Sequence, residues 1–136
     1  MKYNHKEITA DGIKFKSMLE WEVYLFLKDK SVSPLRYEKE RFKIVGETTE
    51  YFPNGGRRKS SGCYYTPDFI FNYRGQKIII EVKGYATDIY RLRKKIFIDK
   101  YPILSLNFFE IKNIVDLESV FSLIDDRLRI AKARGM

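Results

Sequence analysis

The sequence is poor in the two residues that most often build metal and redox sites. It contains one cysteine, Cys63, and one histidine, His5, among 136 residues. A single cysteine cannot form an intrachain disulfide or a cysteine-type zinc site, and one histidine near the chain end disfavours histidine-dependent metal chemistry. The sequence also lacks an apolar run of about 18 residues and a signal-peptide pattern. We therefore expect a soluble, intracellular protein with no membrane partner.

The remaining composition is that of a folded, basic domain. Apolar residues make up 44% of the chain and aromatic residues 15%, which is far from a disordered composition. A chain of 136 residues is long enough for one domain with its own core, so we expect residues 1–136 to form a single domain. Lys and Arg number 26 against 18 Asp and Glu, a formal net charge of +8. This excess favours a polyanionic partner, either nucleic acid or an acidic membrane surface.

Two apolar runs within the stretch from Tyr65 to Gly84 predict a β-hairpin. The first run is Phe69–Phe71 and the second is Ile78–Val82. The intervening segment, 72–76, contains Asn and Gly, which tolerate the positive φ of a tight turn. The second run shows no alternation, which indicates a strand buried on both faces.

Three charged residues lie at one end of this predicted hairpin. If the strands pair antiparallel, Asp68 lies across from Glu81, and Lys83 follows two residues later on the same face. Two carboxylates placed together suit a hard divalent cation, which takes oxygen ligands. The alternative is that Asp68 only initiates a strand while Glu81 and Lys83 form a solvated pair. The burial of the second strand favours the functional interpretation, because a buried carboxylate is costly unless it is paired or metal-bound.

A helix is predicted upstream, from about Met18 to Lys28. Ser17 and Glu20 have the spacing of a capping box, with Ser17 as the N-cap. On the residues alone, Glu20 therefore closes the cap of this helix.

The other predicted elements frame this hairpin. Residues 1–11 are expected to be an extended polar start that ends in a turn at Asp11–Gly12, and alternation predicts a strand over Leu35–Val45. A helix follows from about Thr87 or Asp88 to Lys100, with a buried stripe of Ile89, Leu92, Ile96 and Phe97. Ile103–Ile111 is expected to be a buried strand reached by a right-handed parallel crossover. Asn113–Ala133 is the last helix, with its inward face at Leu117, Val120, Phe121, Ile124 and Leu128.

Two basic segments are candidates for nucleic-acid binding. Residues 53–62 are rich in Gly and Ser and predict a flexible basic loop. This loop is either an ordinary surface tip or a phosphate-binding loop beside the site. The helix after Gly84 either presents a solvated face or offers cations to a phosphate backbone. The candidate residues in the two segments are Arg57, Arg58, Lys59, Arg91, Lys94 and Lys95.

Pro67–Asp68–Phe69, the hairpin and Glu81–Val82–Lys83 together resemble the signature of the PD-(D/E)xK nuclease superfamily. The segment Asp11–Gly12–Ile–Lys–Phe–Lys–Ser–Met–Leu–Glu20 is also similar to an N-terminal pattern of small phage-type members. The resemblance implies that a glutamate on the first helix points at the metal site, so Glu20 has two interpretations, a helix cap or an acid of that site. Glu22 is the fallback candidate, but it lies about 200° around the helix from Glu20, so both cannot face one metal. The resemblance implies an α/β fold with a restriction-endonuclease-like core. In that core a mixed central sheet with αβββαβ order is flanked by helices.

This resemblance also implies a function. The implied function is that of a metal-dependent DNA endonuclease that uses Mg²⁺ or Mn²⁺ and acts on branched, recombination or repair DNA. The enzyme would work in the host cytoplasm if the gene is phage-borne. Asp68, Glu81, the Val82 carbonyl and Glu20 would hold the metal, and Lys83 would orient the attacking water. Related junction-resolving nucleases are homodimers, and the apolar N-terminal helix would serve either such an interface or ordinary core packing.

Two other classes of function stay open at the level of sequence. One is a non-catalytic nucleic-acid-binding protein on a nuclease-like fold. The other is a small basic structural or virion-assembly protein in which the carboxylates are incidental. The acidic cluster separates these alternatives from an enzyme, because carboxylates that no cation neutralises repel phosphate.

Overall fold

A computed structural model of the protein describes residues 7–135 and has a mixed α+β fold. The helices are α1 Met18–Asp29, α2 Asp88–Lys100 and α3 Ile114–Ala133, with a short 3-10 helix at Leu104–Asn107. The first five strands are β1 Ile8–Ala10, β2 Ile13–Phe15, β3 Ser33–Tyr37, β4 Phe42–Val45 and β5 Thr48–Tyr51. The other five are β6 Arg57–Ser60, β7 Cys63–Tyr65, β8 Phe69–Tyr73, β9 Gln76–Val82 and β10 Phe108–Ile111.

The central sheet has four strands in the order β10-β9-β8-β3. The predicted hairpin forms its middle, since β8 and β9 pair antiparallel with Phe69 opposite Ile80. The turn is shorter than predicted and consists of Arg74 and Gly75, both with positive φ, at 49° and 79°. Positive φ at both central residues is the geometry of a two-residue hairpin turn that matches strand twist.

The predicted parallel pairing across this connection is confirmed: α2 connects β9 to β10, and these two strands are parallel. Along the chain, the elements that build the sheet and its first two helices follow in the order α1, β3, β8, β9, α2, β10. The remaining strands form three two-stranded pairs, β1-β2, β4-β7 and β5-β6.

The sheet separates two apolar cores, because alternate residues of β8 and β9 point to opposite faces. Phe69, Phe71, Ile78 and Ile80 pack with α1 and α3 on one face. On the other face, Ile70 and Ile79 pack with α2 and the β4-β7 pair, as do Ile44, Tyr65 and Phe97. The charged residues Asp68, Glu81 and Lys83 lie at one end of this hairpin, where β8 begins and β9 ends.

All three predicted helices are confirmed close to their expected limits. Ser17, Thr87 and Asn113 are the N-caps, and each side chain accepts a hydrogen bond from the backbone amide three residues later. These bonds satisfy amide groups that the first turn of a helix leaves without partners. The inward face of α3 is as predicted, with Leu117, Val120, Phe121 and Ile124 buried and Leu128 packed against the core.

The prediction of one strand over Leu35–Val45 was wrong. The chain forms β3 and β4 instead, and these strands belong to different sheets. Glu38, just after β3, has a φ of 51°, a left-handed conformation that strand residues do not adopt. This reversal redirects the chain, so the charged alternation that suggested one strand spans a corner.

Two predictions around α2 were also wrong. Ile89 and Leu92, expected to be buried, are 66% and 59% exposed. The helix packs instead through Tyr90, Ile96 and Phe97, so only the last two of the predicted stripe face the core. Ile103 is 79% exposed, and a 3-10 helix precedes the strand, which is limited to Phe108–Ile111.

The predicted loop at 53–62 is only partly a loop. Its residues Arg57–Ser60 form β6, which pairs antiparallel with β5 to make a two-stranded ribbon. Pro53, Asn54, Gly55 and Gly56 form the tip of this ribbon, whereas Gly62 lies at its base, next to Val45.

The start of the chain agrees with prediction where it is described. Asp11–Gly12 is a turn between β1 and β2, whereas residues 1–6, including His5, lie outside the described residues. Within residues 7–135, none of the helices has the length and apolar character needed to cross a membrane.

Candidate active site

Asp68 is the centre of a cluster of acidic residues at the end of the β8-β9 hairpin. It immediately precedes β8, and the register of the hairpin places Glu81 of β9 across from it, as predicted. The Val82 backbone amide donates a hydrogen bond of 2.8 Å to Asp68 Oδ2. Asp68 and Glu81 are only 6% and 2% exposed, so both acids are withdrawn from water in a part of the molecule where ionisation is costly.

Glu20 reaches the same place from α1 and is 3% exposed. The Ser17 hydroxyl donates to Glu20 Oε1 at 3.0 Å, and the Tyr37 hydroxyl donates to Glu20 Oε2. Glu20 therefore belongs both to the helix cap and to the acidic cluster, so its two interpretations are compatible. Because Ser17 and Tyr37 hold both carboxylate oxygens, the side chain is fixed in direction.

Glu81 is held on the other side of Asp68. The Tyr65 hydroxyl donates to Glu81 Oε1, and Lys83 Nζ lies 3.7 Å from Glu81 Oε2. Lys83 also lies over the ring of Tyr90, 4.3 Å from its centroid. The Lys83 side chain is 27% exposed and that of Glu81 only 3%, so the ammonium lies at the boundary between the buried acids and solvent.

Glu38 is a fourth acid that the sequence analysis did not identify. The left-handed backbone at Glu38 lets its amide donate to the Asp68 carbonyl at 2.9 Å. Glu20, Glu38 and Asp68 each contribute a carboxylate oxygen to a group whose members lie within 4.8 Å of one another. Lys16 forms an ion pair with Glu38 and thus lies beside this group.

Burial and neighbouring charges shift the pKa values of several groups in the cluster. Burial raises the pKa of Asp68 well above its usual range, and the charges of Glu81 and Glu20 raise it further. Burial also raises the pKa of Glu81, and hydrogen bonds from its neighbours offset only part of this. Burial lowers the pKa of Lys16, but the hydrogen bond to Glu38 and the nearby acids outweigh burial and raise it. A cation near Asp68 would favour the ionised carboxylates.

The cluster opens to solvent through a cleft of about 460 Å³. Its lining consists of Lys16, Glu20, Asp68, Val82, Lys83, Gly84, Tyr85 and Thr87. A second cavity of about 280 Å³ shares Asp68 and Lys83 with this cleft and also includes Glu38, Tyr65 and Glu81. The acids are therefore accessible to a small ion and to a substrate group even though their side chains are largely buried.

The structure thus brings together Glu20, Asp68, Glu81, Lys83 and Val82, the residues predicted to form the site. The donor set is made of carboxylate oxygens, which are the ligands of hard cations such as Mg²⁺ and Mn²⁺. The residues present fit such an ion, because carboxylate oxygens of Glu20, Glu38 and Asp68 converge within 4.8 Å of one another beside an open cleft.

The predicted basic residues lie in two places. Arg91 and Lys94 of α2 line a cavity next to the cleft that also includes Lys83, and Lys95 lies on the outer side of the same helix. Lys94 is not free to act alone, since its Nζ lies 2.5 Å from Glu110 Oε2. Arg57, Arg58 and Lys59 lie on the β5-β6 ribbon and are exposed.

Sequence reasoning missed Glu38, Lys16, Tyr37 and Tyr65. The one available signal was that Glu38 shared an alternating face with Phe42 and Ile44, which is an unusual place for an acid. Tyr65 and Tyr37 carry no such signal, because an aromatic residue at a strand end is typical of core packing.

Comparison with known proteins gives one match. No curated protein and no solved structure matches the chain. A family model described as "Protein of unknown function (DUF1064)" matches residues 1–114, a range that contains every residue of the acidic cluster together with Lys83, α2 and β10. The chain therefore belongs to the DUF1064 family.

Proposed function

We propose that this protein is a metal-dependent nuclease that hydrolyses phosphodiester bonds in DNA. The observation that carries the proposal is the buried Asp68, which has Glu20, Glu38 and Glu81 around it and Lys83 at the mouth of an open cleft. Four acids concentrated in this way weaken the fold unless a cation neutralises them. In a protein with a net charge of +8, such a cluster is a costly feature for which metal binding gives a reason.

Mg²⁺ or Mn²⁺ is the proposed cofactor. Asp68 and Glu81 would hold it together with the Val82 carbonyl, and Glu20 and Glu38 are placed to bind it directly or through water. When bound, the ion would lower the pKa of a water molecule and stabilise charge on the phosphate oxygens.

The protein's own groups then have defined tasks. The Lys83 ammonium would orient the attacking water and offset negative charge that develops on the phosphate. Tyr65 and Tyr37 would keep the two flanking carboxylates in position, since each hydroxyl already donates to one of them. The cleft beside Lys83 would admit one phosphate of the backbone.

The order of the elements supports the same proposal. The sequence α1, β3, β8, β9, α2, β10 agrees with the αβββαβ order that the resemblance to PD-(D/E)xK nucleases implies. The motif residues also lie where that resemblance expects them, at the ends of two adjacent strands. We therefore propose a restriction-endonuclease-like core, into which the β4-β7 and β5-β6 pairs are inserted between β3 and β8.

The test is cleavage of a panel of DNA substrates with and without Mg²⁺. The panel should contain duplex, single-stranded, flap and four-way-junction DNA. Asp68→Ala and Glu81→Ala should abolish Mg²⁺-dependent cleavage but leave DNA binding in place. Asp126→Ala is the matched control, because Asp126 is an exposed acid paired with Arg129 on α3 and should behave as wild type.

Calorimetry separates this proposal from a non-catalytic DNA-binding protein. The wild-type protein should bind Mg²⁺ or Mn²⁺, and Asp68→Ala should bind it much more weakly. Full cleavage activity in Asp68→Ala and Glu81→Ala would overturn the assignment of the site. DNA binding without metal binding or cleavage would support the non-catalytic alternative.

A further inference from the structure

The β5-β6 ribbon differs from the other strand pairs because neither of its faces is covered. All four residues of β5 and all four of β6 are exposed, whereas β4 and β7 contribute Ile44 and Tyr65 to the core. An isolated two-stranded hairpin is only marginally stable by itself. The ribbon therefore offers both faces to a partner.

The two faces of the ribbon have different charge. The register pairs Thr49 with Lys59 and Tyr51 with Arg57, and alternation puts these four residues on one face. This face carries two cations, the exposed ring of Tyr51 and no acid. On the opposite face, Arg58 lies 2.8 Å from Glu50, so its charge is balanced.

We propose that the ribbon is an arm that enters the major groove of duplex DNA, with Arg57 and Lys59 on the phosphates and Tyr51 against the groove. The major groove of B-DNA admits a two-stranded β-ribbon, whereas the major groove of A-form RNA is too narrow for one. The inference rests on the proposed nuclease function and deepens it, because it makes the substrate double-stranded DNA beyond the cleavage site.

The connection between the ribbon and the acidic cluster sets how far the arm reaches. β7 ends at Tyr65, which contacts Glu81, and Arg57 precedes Tyr65 by eight residues. At about 3.3 Å per residue, Arg57 therefore lies at most about 26 Å from Tyr65. This distance corresponds to about 8 base pairs of DNA at about 3.4 Å each.

The junction at the base of the ribbon is closely packed. A Cβ added at Gly62 would lie 2.7 Å from the Val45 carbonyl oxygen, so the chain there requires glycine. The segments that enter and leave the ribbon are in contact at this point, so the direction of the arm depends on the β4-β7 pair. This pair contacts the candidate site through Tyr65.

The experiment measures DNA binding of the Asp68→Asn protein, in which the substrate stays intact. Fluorescence anisotropy with duplex DNA of about 8 to 24 base pairs gives affinity against length and against salt. Adding Arg57→Gln and Lys59→Gln should remove the gain in affinity from the last roughly 8 base pairs. It should also lower the slope of log affinity against log salt by about 2.

Lys132→Gln with Arg134→Gln is the matched control. It removes the same two residue types from exposed positions at the end of α3 and should leave the dependence on length unchanged. Thermal unfolding of each variant checks that the fold is intact, which we expect because both pairs of side chains are exposed.

Three outcomes would overturn the arm: equal losses in the two double variants, no loss in either, or the same losses with duplex RNA of the same sequence. The nuclease proposal fails by a different result, namely no metal-dependent cleavage by the wild-type protein on any DNA. A wild-type protein that cleaves DNA while the ribbon variant keeps its dependence on length would refute the arm alone.

Discussion

The acidic cluster has two halves, and each contains a glutamate that accepts a hydrogen bond from a tyrosine hydroxyl. The two glutamates lie on different kinds of secondary structure, a helix and a strand. In one half, Glu20 accepts the hydrogen bond of the Tyr37 hydroxyl and lies on the first turn of α1. In the other half, Glu81 accepts the hydrogen bond of the Tyr65 hydroxyl and lies on β9. Asp68 lies between the two halves and interacts with both glutamates.

The difference lies in how firmly each support is fixed. β9 is hydrogen-bonded to β8 on one side and to β10 on the other, so the backbone at Glu81 cannot move without breaking the sheet. The position of Glu20 depends instead on how α1 packs against the sheet and on the Ser17 cap. For the proposed metal ion, the Glu81 half would therefore be the more rigid support and the Glu20 half the more adjustable one.

Substituting each glutamate in turn tests this inference and should give the largest effects. Glu81→Gln should reduce Mg²⁺-dependent cleavage on the order of a thousandfold, because several kcal/mol of metal stabilisation is lost. Glu20→Gln should reduce it by about 10- to 100-fold, the range for a group that supports a ligand. Cleavage rates at saturating Mg²⁺ measure both, and a larger loss for Glu20→Gln would reverse the ranking of the halves.

The two lysines at the site should affect cleavage in different ways. Lys83→Gln should lower kcat by about 100-fold or more, as expected for a group that assists proton transfer. Lys16→Gln should instead tighten Mg²⁺ binding, because it removes an ammonium that is paired with Glu38 beside the metal position. Kinetics combined with calorimetry separates the two effects, and a loss of metal affinity in Lys16→Gln would contradict the assigned role.

Removing one tyrosine hydroxyl at a time makes the comparison between the halves sharper. Tyr65→Phe should lower metal affinity or activity by about 10- to 100-fold, since a partner that orients a ligand is lost. Tyr37→Phe should have a smaller effect, because Ser17 still donates to Glu20. Tyr73→Phe is the control, as its hydroxyl donates to Asp125 on α3 and not to the cluster. Equal effects of all three would show that the hydroxyls act on stability alone.

The metal-free protein should lose stability as pH rises from acidic to neutral. Burial raises the folded-state pKa values of Asp68 and Glu81 above those of the unfolded chain, so the folded state retains protons that the unfolded state has released. Stability therefore falls with increasing pH through this range. Thermal unfolding in a metal chelator should show the fall, and Asp68→Asn should be more stable than wild type at neutral pH. An equally steep fall in Asp68→Asn would contradict this origin.

Local signals predicted the parts of the fold that depend on neighbouring residues. The capping box at Ser17 and Glu20 and the turn between the two apolar runs predicted the start of α1 and the hairpin, because each rests on residues a few positions apart. The single strand over 35–45 failed because the left-handed backbone at Glu38 is stabilised by a bond to the Asp68 carbonyl, which is 30 positions away along the chain. The exposure of Ile89 and Leu92 likewise depends on which face of α2 the sheet covers.

The part of the candidate site that lies at the end of the hairpin was predictable from the sequence. Asp68, Glu81 and Lys83 follow from strand pairing alone, and Glu20 follows from a motif next to a helix cap. Glu38, Lys16 and the two tyrosines come from strands and turns whose position near Asp68 is decided by tertiary packing. No periodic pattern in the sequence indicates that these four residues lie near Asp68.

The short turn at Arg74–Gly75 has a consequence for how the protein folds. Hairpins with two-residue loops close in about 1–10 μs, whereas contacts between distant segments form later. The β8-β9 hairpin is therefore expected to pair early and to bring Asp68 and Glu81 together before α1 delivers Glu20. Asp68 and Glu81 therefore approach each other at the start of folding, when water still screens the repulsion between them.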